Sequence, residues 1–415
     1  MRKTTLKDLF SIEQGYAFKS SRYMKSGKYV LCTLGNISED NNFKFNPSRA
    51  NYYPDEFPRR FILEAGDLIL PLTEQAVGLF GNSAFIPQTD EFYFVLNQRV
   101  GKIVPKSGVS KRYLHYLLST GLVKQQIEAT ASGTSQRNTS PEKIYEVTVW
   151  VPSESAQESI GDFLFNIEEQ INVNNQVNDN LQAMLQTLYG YWFLQFDFPD
   201  ENGRPYRSSG GRMVWNDQLK REIPAGWRAV TLRELLKKNR KAFDYGTVEP
   251  TIDLSVMPTG SIALNNLSRS DAFSSNLYQM SEGDILFGAI RPYLKKAGIA
   301  PCNGVVAGTV HSFSPVRVDD YNFALATITS EQMFLHAVRS STGTRMPTVK
   351  ADDLLDVVVA YSESVATAFN QIPVARSIIE RVQESSRLGE LRNWLLPLLM
   401  NGQATVVSPD KLSFT

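Results

Sequence analysis

Two cysteines in 415 residues, Cys32 and Cys302, are too few and too far apart for a disulfide framework. They read as buried thiols of a chain kept in a reducing cytoplasm. Only three histidines occur, His115, His311 and His336, and none is paired at helical spacing, so no metal site is expected. No apolar run approaches the roughly 20 residues that span a bilayer. Met1-Arg2-Lys3-Thr4-Thr5 leads into no apolar stretch of the signal-peptide kind. An excess of charge is missing too: 43 Lys and Arg against 43 Asp and Glu exclude a uniformly basic nucleic-acid binder. There is no Gly-x-x-x-x-Gly-Lys-Ser/Thr phosphate loop, no Pro-Pro-Tyr/Phe tetrapeptide and no Gly-rich cofactor loop after a strand. Pro199-Asp200 followed by Asp217-Gln218-Leu219-Lys220 has a nuclease-like carboxylate–lysine pattern, but its loop-like setting makes chance the better account. The chain is not expected to be a catalyst, to bind a cofactor or to hold a metal.

What the sequence does have is itself, twice. Thr5-Leu6-Lys7-Asp8-Leu9 returns as Thr231-Leu232-Arg233-Glu234-Leu235, and Gly66-Asp67-Leu68-Ile69-Leu70 as Gly283-Asp284-Ile285-Leu286. Ser132-Gly133-Thr134 returns as Thr342-Gly343-Thr344, and Leu181 to Leu188 as Leu388 to Leu395. The offsets, 226, 217, 210 and 207 residues, shrink in order, as they would if the second copy kept the element order with shorter loops. Each copy opens with short β-rich runs punctuated by Gly, Pro, Asn and Asp, such as 67–70, 92–96, 145–152, 285–287 and 355–360. Short helices are expected at 111–129 and 320–338. The mixture predicts an α+β (mixed α/β) class with an irregular sheet in each copy.

A long helix comes after each β-rich part. Between Ile160 and Tyr191, positions spaced alternately by three and four residues carry Ile160, Phe163, Ile167, Val177, Leu181, Met184, Leu188 and Tyr191. Such a heptad seam predicts a coiled-coil helix, with Gln170 and Asn174 as mid-seam polar residues that fix register. Residues 155–196 contain five acids and no Lys or Arg, so this face suits protein rather than phosphate. The second copy supplies Ile372, Ala375, Ile379, Val382, Leu388, Leu391, Leu395 and Leu398. The plainer reading is two amphipathic helices packed on their own domains. Their length, about 60 Å for about 40 residues, argues for the coiled coil. The expected division is 1–154, a long helix at 155–196, a linker at 197–229, a second domain at 230–361, a second long helix at 362–403 and a tail at 404–415.

Reading a DNA sequence needs directional donors and acceptors for base edges, with Lys and Arg for phosphates. The first copy offers the donor-dense loop Ser132 to Ser140, with Gln136, Arg137 and Asn138 adjacent. Its plainer reading is a solvated turn built on Gly133, with Thr139 or Ser140 capping the next element. The second copy keeps Gly-Thr and one arginine there, in Thr344 and Arg345. Recurrence favours a shared turn, and the differing residues favour a different specificity in each copy. Other candidates mix rings and cations: Tyr16, Lys19 and Arg22; Arg59 and Arg60; Arg291, Tyr293, Lys295 and Lys296; and the basic run at Lys237 and Lys238. That run is either a phosphate-binding stripe or the solvated end of a helix.

The whole chain resembles the specificity subunit of type I restriction-modification systems. The resemblance is carried by Trp192-Phe193-Leu194-Gln195-Phe196-Asp197-Phe198, Asn202-Gly203-Arg204-Pro205-Tyr206, Ser209-Gly210-Gly211, Ile223-Pro224-Ala225-Gly226-Trp227 and the Gly-Asp-Leu/Ile-Leu pattern at Gly66 and Gly283. It implies two target recognition domains, each binding half of a bipartite, asymmetric site in double-stranded DNA. It implies helices paired as an antiparallel coiled coil that measures the spacer and docks two methyltransferase (M) subunits, with restriction (R) subunits joining. S-adenosylmethionine and ATP would belong to those partners. The alternative is a DNA-binding regulatory or scaffold protein with no methyltransferase partner.

Overall fold

The computed structural model describes residues 1–54, 56–74, 78–133, 136–244, 246–273 and 276–406. They form two compact units, one made of Met1–Glu169 with the chain from Gly389 onward, the other of Gln170–Leu388. These packing units cut across the six consecutive segments expected along the sequence, because the boundary falls inside each long helix.

The first unit is organised by Leu68–Pro71, all four residues of which are buried. Successive side chains of a strand face opposite ways, so a strand covered on both faces must be apolar throughout. Leu68 and Leu70 enter a cluster with Leu6, Phe10, Tyr113, Leu117 and Ile127. Ile69 enters the opposite one with Val30, Cys32, Phe94 and Leu96. The strand lies third in an antiparallel sheet ordered Phe10–Gln14, Val100–Pro105, Leu68–Pro71, Ala84–Phe85. A three-stranded sheet beside it contains one parallel pair, Tyr29–Cys32 with Tyr93–Leu96.

The second unit repeats this plan around Ile285–Gly288. Ile285 and Phe287 enter one cluster and Leu286 the other. The sheet order is Leu236–Asn239, Val310–Pro315, Ile285–Gly288, Ala297–Ile299, and the neighbouring sheet again holds a single parallel pair, Pro250–Ile252 with Gly304–Ala307. The Gly-Asp pattern before each core strand has a backbone reason. Gly66 and Gly283 take φ of 80° and 84°, a left-handed region that a Cβ disfavours. The carboxylates of Asp67 and Asp284 then accept the N–H of Glu64 and Ser281, each at 2.9 Å, and lock the turn.

Each short helix expected as one piece is two. The segment 111–129 breaks between Lys111–Ser119 and Gly121–Thr130, and 320–338 between Tyr321–Ile328 and Glu331–Ser340. The hydroxyls of Thr120 and Thr329 donate back to the carbonyls of Leu117 and Leu325, both at 2.7 Å, which competes with the helical ladder. Ser330 then caps the next helix by accepting from Met333 N–H at 3.1 Å.

The first long helix is Glu154–Tyr189, prolonged by one wide turn at Gly190–Leu194 and ended where Phe196 takes a φ of 66°. The second is not continuous from 362. It is Glu363–Asn370, a break, and then Val374–Met400. Pro373 is the cause, since proline pushes the residue before it out of the helical region. Ile372, placed in the seam by its spacing, therefore lies in the break. Asn174 is buried as its mid-seam position predicts, donating to Glu384 at 3.0 Å and Ser385 at 3.3 Å. Within the first unit, Glu168 accepts from Tyr116 at 2.7 Å and from Arg392 at 3.0 Å, with His115 Nε2 3.7 Å away. Burial pushes the Glu168 carboxyl up, but those three partners outweigh it and hold it below its ordinary value.

The seam itself is narrower than its spacing suggests. Ile160, Ile167, Leu185 and Tyr189 are buried, while Met184 is 39% exposed and Tyr191 50%. On the second helix Ile378, Val382 and Leu399 are buried, and Leu391 and Trp394 are exposed. Phe163, Val177, Leu181, Leu188, Ile379, Leu388 and Leu395 are half-buried.

Gly66 has open space where a Cβ would go, so the cost of Gly66→Ala comes from backbone alone. The variant is expected to lose about 1–2 kcal/mol in urea unfolding. An unchanged midpoint would show that the turn does not need its left-handed residue.

Candidate nucleic-acid interface

In the first unit the sequence candidates Tyr16, Arg22, Arg59 and Arg60 come together around one aromatic cluster. Phe18, Tyr29 and Tyr53 are buried in it, with Tyr16, Tyr23 and Phe57 at its edge. Gly15 makes this possible: a Cβ there would meet the Asn97 carbonyl at 2.2 Å, so only glycine lets the two segments cross. Tyr16 N–H then donates to Leu96 and Gln98 N–H to Tyr16, at 2.9 and 3.0 Å. The cations lie over ring faces, Arg22 above Tyr53 at 5.6 Å, Arg59 above Tyr29 at 5.3 Å and Arg60 above Phe61 at 4.9 Å. Arg59 also donates to the Tyr29 hydroxyl at 2.6 Å, and Arg22 pairs with Glu56 at 2.7 Å. Lys19 is exposed beside them.

A concavity of about 460 Å³ opens next to this cluster, lined by Phe18, Thr33, Asn97, Gln98 and Arg99 among others. A second, of about 490 Å³, is lined by Lys44, Asn46, Arg49 and Asn51. These amides and cations were missed by the sequence reading. Asn97-Gln98-Arg99 has the chemistry of Gln136-Arg137-Asn138 and directly succeeds a strand, a signal that could have found it.

The loop at 132–140 behaves differently from its expected role. Thr134 and Ser135 lie outside the described residues. Gly133 takes a φ of 113°, and Ser132 and Asn138 exchange backbone bonds at 3.0 and 2.9 Å, closing the turn. Arg137 is drawn inward. Its guanidinium donates to Glu74 at 2.7 Å and to the Glu128 carbonyl at 2.9 Å. Glu74 is only 1% exposed, and an anion removed from water needs this partner. Asn138 accepts from Thr73 at 2.9 Å and Gln136 is half-buried beside it. Ser140 caps the helix after it, as its position suggests.

The second unit has the same closed turn, with Thr342 and Thr348 exchanging bonds at 3.0 and 2.9 Å around Gly343 at φ 97°. Here the arginine, Arg345, and Thr344 and Met346 are exposed. This turn lies against the one at the end of the core strand: Arg291 N–H donates to the Pro347 carbonyl at 2.7 Å. Two candidate groups far apart in sequence are thus one surface. Lys295 pairs with Glu331 at 2.6 Å and Lys296 reaches the Leu254 carbonyl, so both hold the turn, while Arg291 and Tyr293 face outward. Arg291 and Lys295 have left-handed backbone, which costs a residue with a Cβ roughly 1–2 kcal/mol each. Lys237 and Lys238 come just after the short helix Leu232–Leu235 but are not part of it. They lie on the edge strand Leu236–Asn239, paired with Ser314 and Phe313. Close by, burial holds His311 below its ordinary pKa, and Lys238 and Arg240 push the same way, against its bond to the Val349 carbonyl.

One group has the order of a nucleophile, a base and an acid: Ser83 Oγ is 2.8 Å from His115 Nδ1, and His115 Nε2 faces Glu168. Ser83 and His115 are both buried, so the trio offers nothing for a substrate to reach and instead ties a helix to the core. No set of three metal-ligating side chains is gathered among the described residues. No described helix is long and apolar enough to cross a membrane.

Arg137→Ala should destabilise the first unit by roughly 2–4 kcal/mol in thermal or urea unfolding, because Glu74 stays buried without its counter-charge. A variant with native stability would return Arg137 to the surface candidates. His311 titrates lower in the folded chain than unfolded, so its contribution is present above pH about 6.5 and is lost on acidification. Stability should fall between pH 7 and 5, and less steeply in His311→Gln; equal slopes would exclude His311 as the cause.

Residues 1–183 match the family described as type I restriction modification DNA specificity domain. The chain is 23% identical over 327 residues to the type I restriction enzyme MjaIX specificity subunit of Methanocaldococcus jannaschii, a match spanning 75% of this chain and 73% of the relative. A solved S subunit of a type I restriction-modification system from M. genitalium shares the fold, with a TM-score of 0.52 at 14% identity over 96% of both chains. Over residues 1–183 the chain is thus similar to the type I restriction-modification DNA specificity domain, and over most of its length to a type I specificity subunit.

Proposed function

We propose that the chain reads a bipartite, asymmetric site in double-stranded DNA, one half with each domain, and directs methyltransferase and restriction subunits to it. The observation that carries this reading is a shared scaffold with unlike surfaces. Both units hold a turn closed around a glycine, Gly133 or Gly343, beside the segment that leaves the core strand. The first unit turns its half-buried arginine there onto Glu74, while the second exposes Arg291 and Arg345. Equal frames with different donors suit two half-sites of different sequence.

The two long helices pair antiparallel as a coiled coil and set the spacer between the half-sites. Asn174 against Ser385, and Leu185 and Tyr189 in one cluster with Ile378 and Val382, support such pairing in the second unit. The exposed Met184, Tyr191, Leu391 and Trp394, on helices where 155–196 carries acids only, suit docking of two M subunits, with R subunits joining them. S-adenosylmethionine and ATP are then used by those partners, this chain performs no chemical step, and the complex works in the cytoplasm.

Sequencing the methylated sites made when the chain is co-expressed with methyltransferase subunits tests this directly. Two unlike half-motifs separated by a fixed gap are expected. Methylation at a single undivided motif, or none with any partner, would favour the stand-alone DNA-binding alternative. Adding one heptad to both helices should lengthen the gap by about 10 Å, or about three base pairs.

A further inference from the structure

The turn Arg291–Lys295 is both strained and immobilised. Its two ends have φ of 53° and 50° without being glycine, and Pro292 stiffens the interval. Such a conformation lasts only where its surroundings impose it. They do so from several sides. Arg291 N–H donates to Pro347, Leu294 N–H to Arg291 and Gly260 N–H to the Lys295 carbonyl, at 2.7, 2.8 and 3.0 Å. The Lys295 ammonium adds its 2.6 Å bond to Glu331, and Pro292 is buried beneath.

All of this presents one side chain. Tyr293 is 52% exposed, and no hydrogen bond or ring contact joins it to another described residue. Some large rings of the second unit pack against others, as Phe287 does on Phe334 and Phe193 on Phe323, while Tyr191 and Trp215 are also exposed but lie away from this turn in sequence. Beside Tyr293 the exposed Arg291 and Arg345 supply positive charge, and Met346 is a second exposed apolar side chain. An aromatic ring on a rigid stem, flanked by exposed cations, fits a polyanion with stacked rings better than it fits a protein face.

We propose that Tyr293 is a wedge that enters the DNA between two base pairs of the half-site bound by the second unit and partly unstacks them. This rests on the DNA-reading function proposed above. Because the turn is already ordered before binding, little conformational freedom is lost when the ring inserts. Unstacking is least costly at pyrimidine–purine steps, so that half-site should contain a TA or CA/TG step at the point of entry.

The test uses the full chain, alone and with methyltransferase subunits, to select duplexes from a random pool. 2-Aminopurine is then placed at successive positions of the half-site that responds to substitutions in the second unit. Fluorescence is expected to rise on binding at one step, to stay high in Tyr293→Phe, and to be lost in Tyr293→Ala. The alanine variant should also bind roughly ten- to a hundred-fold more weakly. If selective binding persists with no rise at any position, the wedge is wrong and the reading function stands. A phenylalanine variant as impaired as alanine would assign the tyrosine to a hydroxyl contact instead. Normal DNA binding by Tyr293→Ala with lost methyltransferase capture would make the turn a protein contact. A full chain that selects no sequence at all overturns both proposals.

Discussion

The architecture depends on a strand with no solvent side. Leu68–Pro71 in one unit and Ile285–Gly288 in the other are covered on both faces, so each joins two apolar clusters that would otherwise be separate cores. A strand in that position tolerates no register slip, because a shift of one residue would exchange the side chains of the two clusters. Its entry must be fixed as well, and the left-handed glycine with its bonded aspartate does this in both units. The segments leaving the strand, at 72–74 and 289–296, therefore start from a rigid point. That rigidity is what allows a surface loop to present side chains in a set geometry.

Polar groups are placed where they decide pairing rather than where they add most stability. Glu168 is gripped by Tyr116, Arg392 and His115, and Asn174 by Glu384 and Ser385, along the long helices. A buried polar layer adds little net energy but strongly penalises a wrong register, since any shift leaves it without partners.

The two candidate surfaces use one frame in opposite ways. In the first unit the arginine of the Gly133 turn neutralises a buried glutamate, and cations on an aromatic cluster provide the exposed charge. In the second unit the lysines fasten the turn, and the arginines and a tyrosine are left outside. Side chains of the same type thus divide between holding a loop and presenting it, according to what lies underneath.

What is local or repeated can be read from the order of residues. The duplication, the glycines that need positive φ, the long helices and the mid-seam Asn174 are all legible, because backbone strain and heptad spacing are properties of neighbouring residues. The central phrases around Trp192 and Trp227 carry the resemblance to type I specificity subunits. Breaks in helices were less legible: Pro373 is visible, but the back-bonding hydroxyls of Thr120 and Thr329 look like ordinary helix residues until their geometry is known. That Arg137 belongs to Glu74, 63 residues away, and that Arg291 sits against Pro347 follows from the folded chain alone. It also decided which seam residues are covered, leaving Met184 and Leu391 outside. Pairings of that kind depend on which distant segments the core brings together, and no local pattern of charge or spacing encodes them.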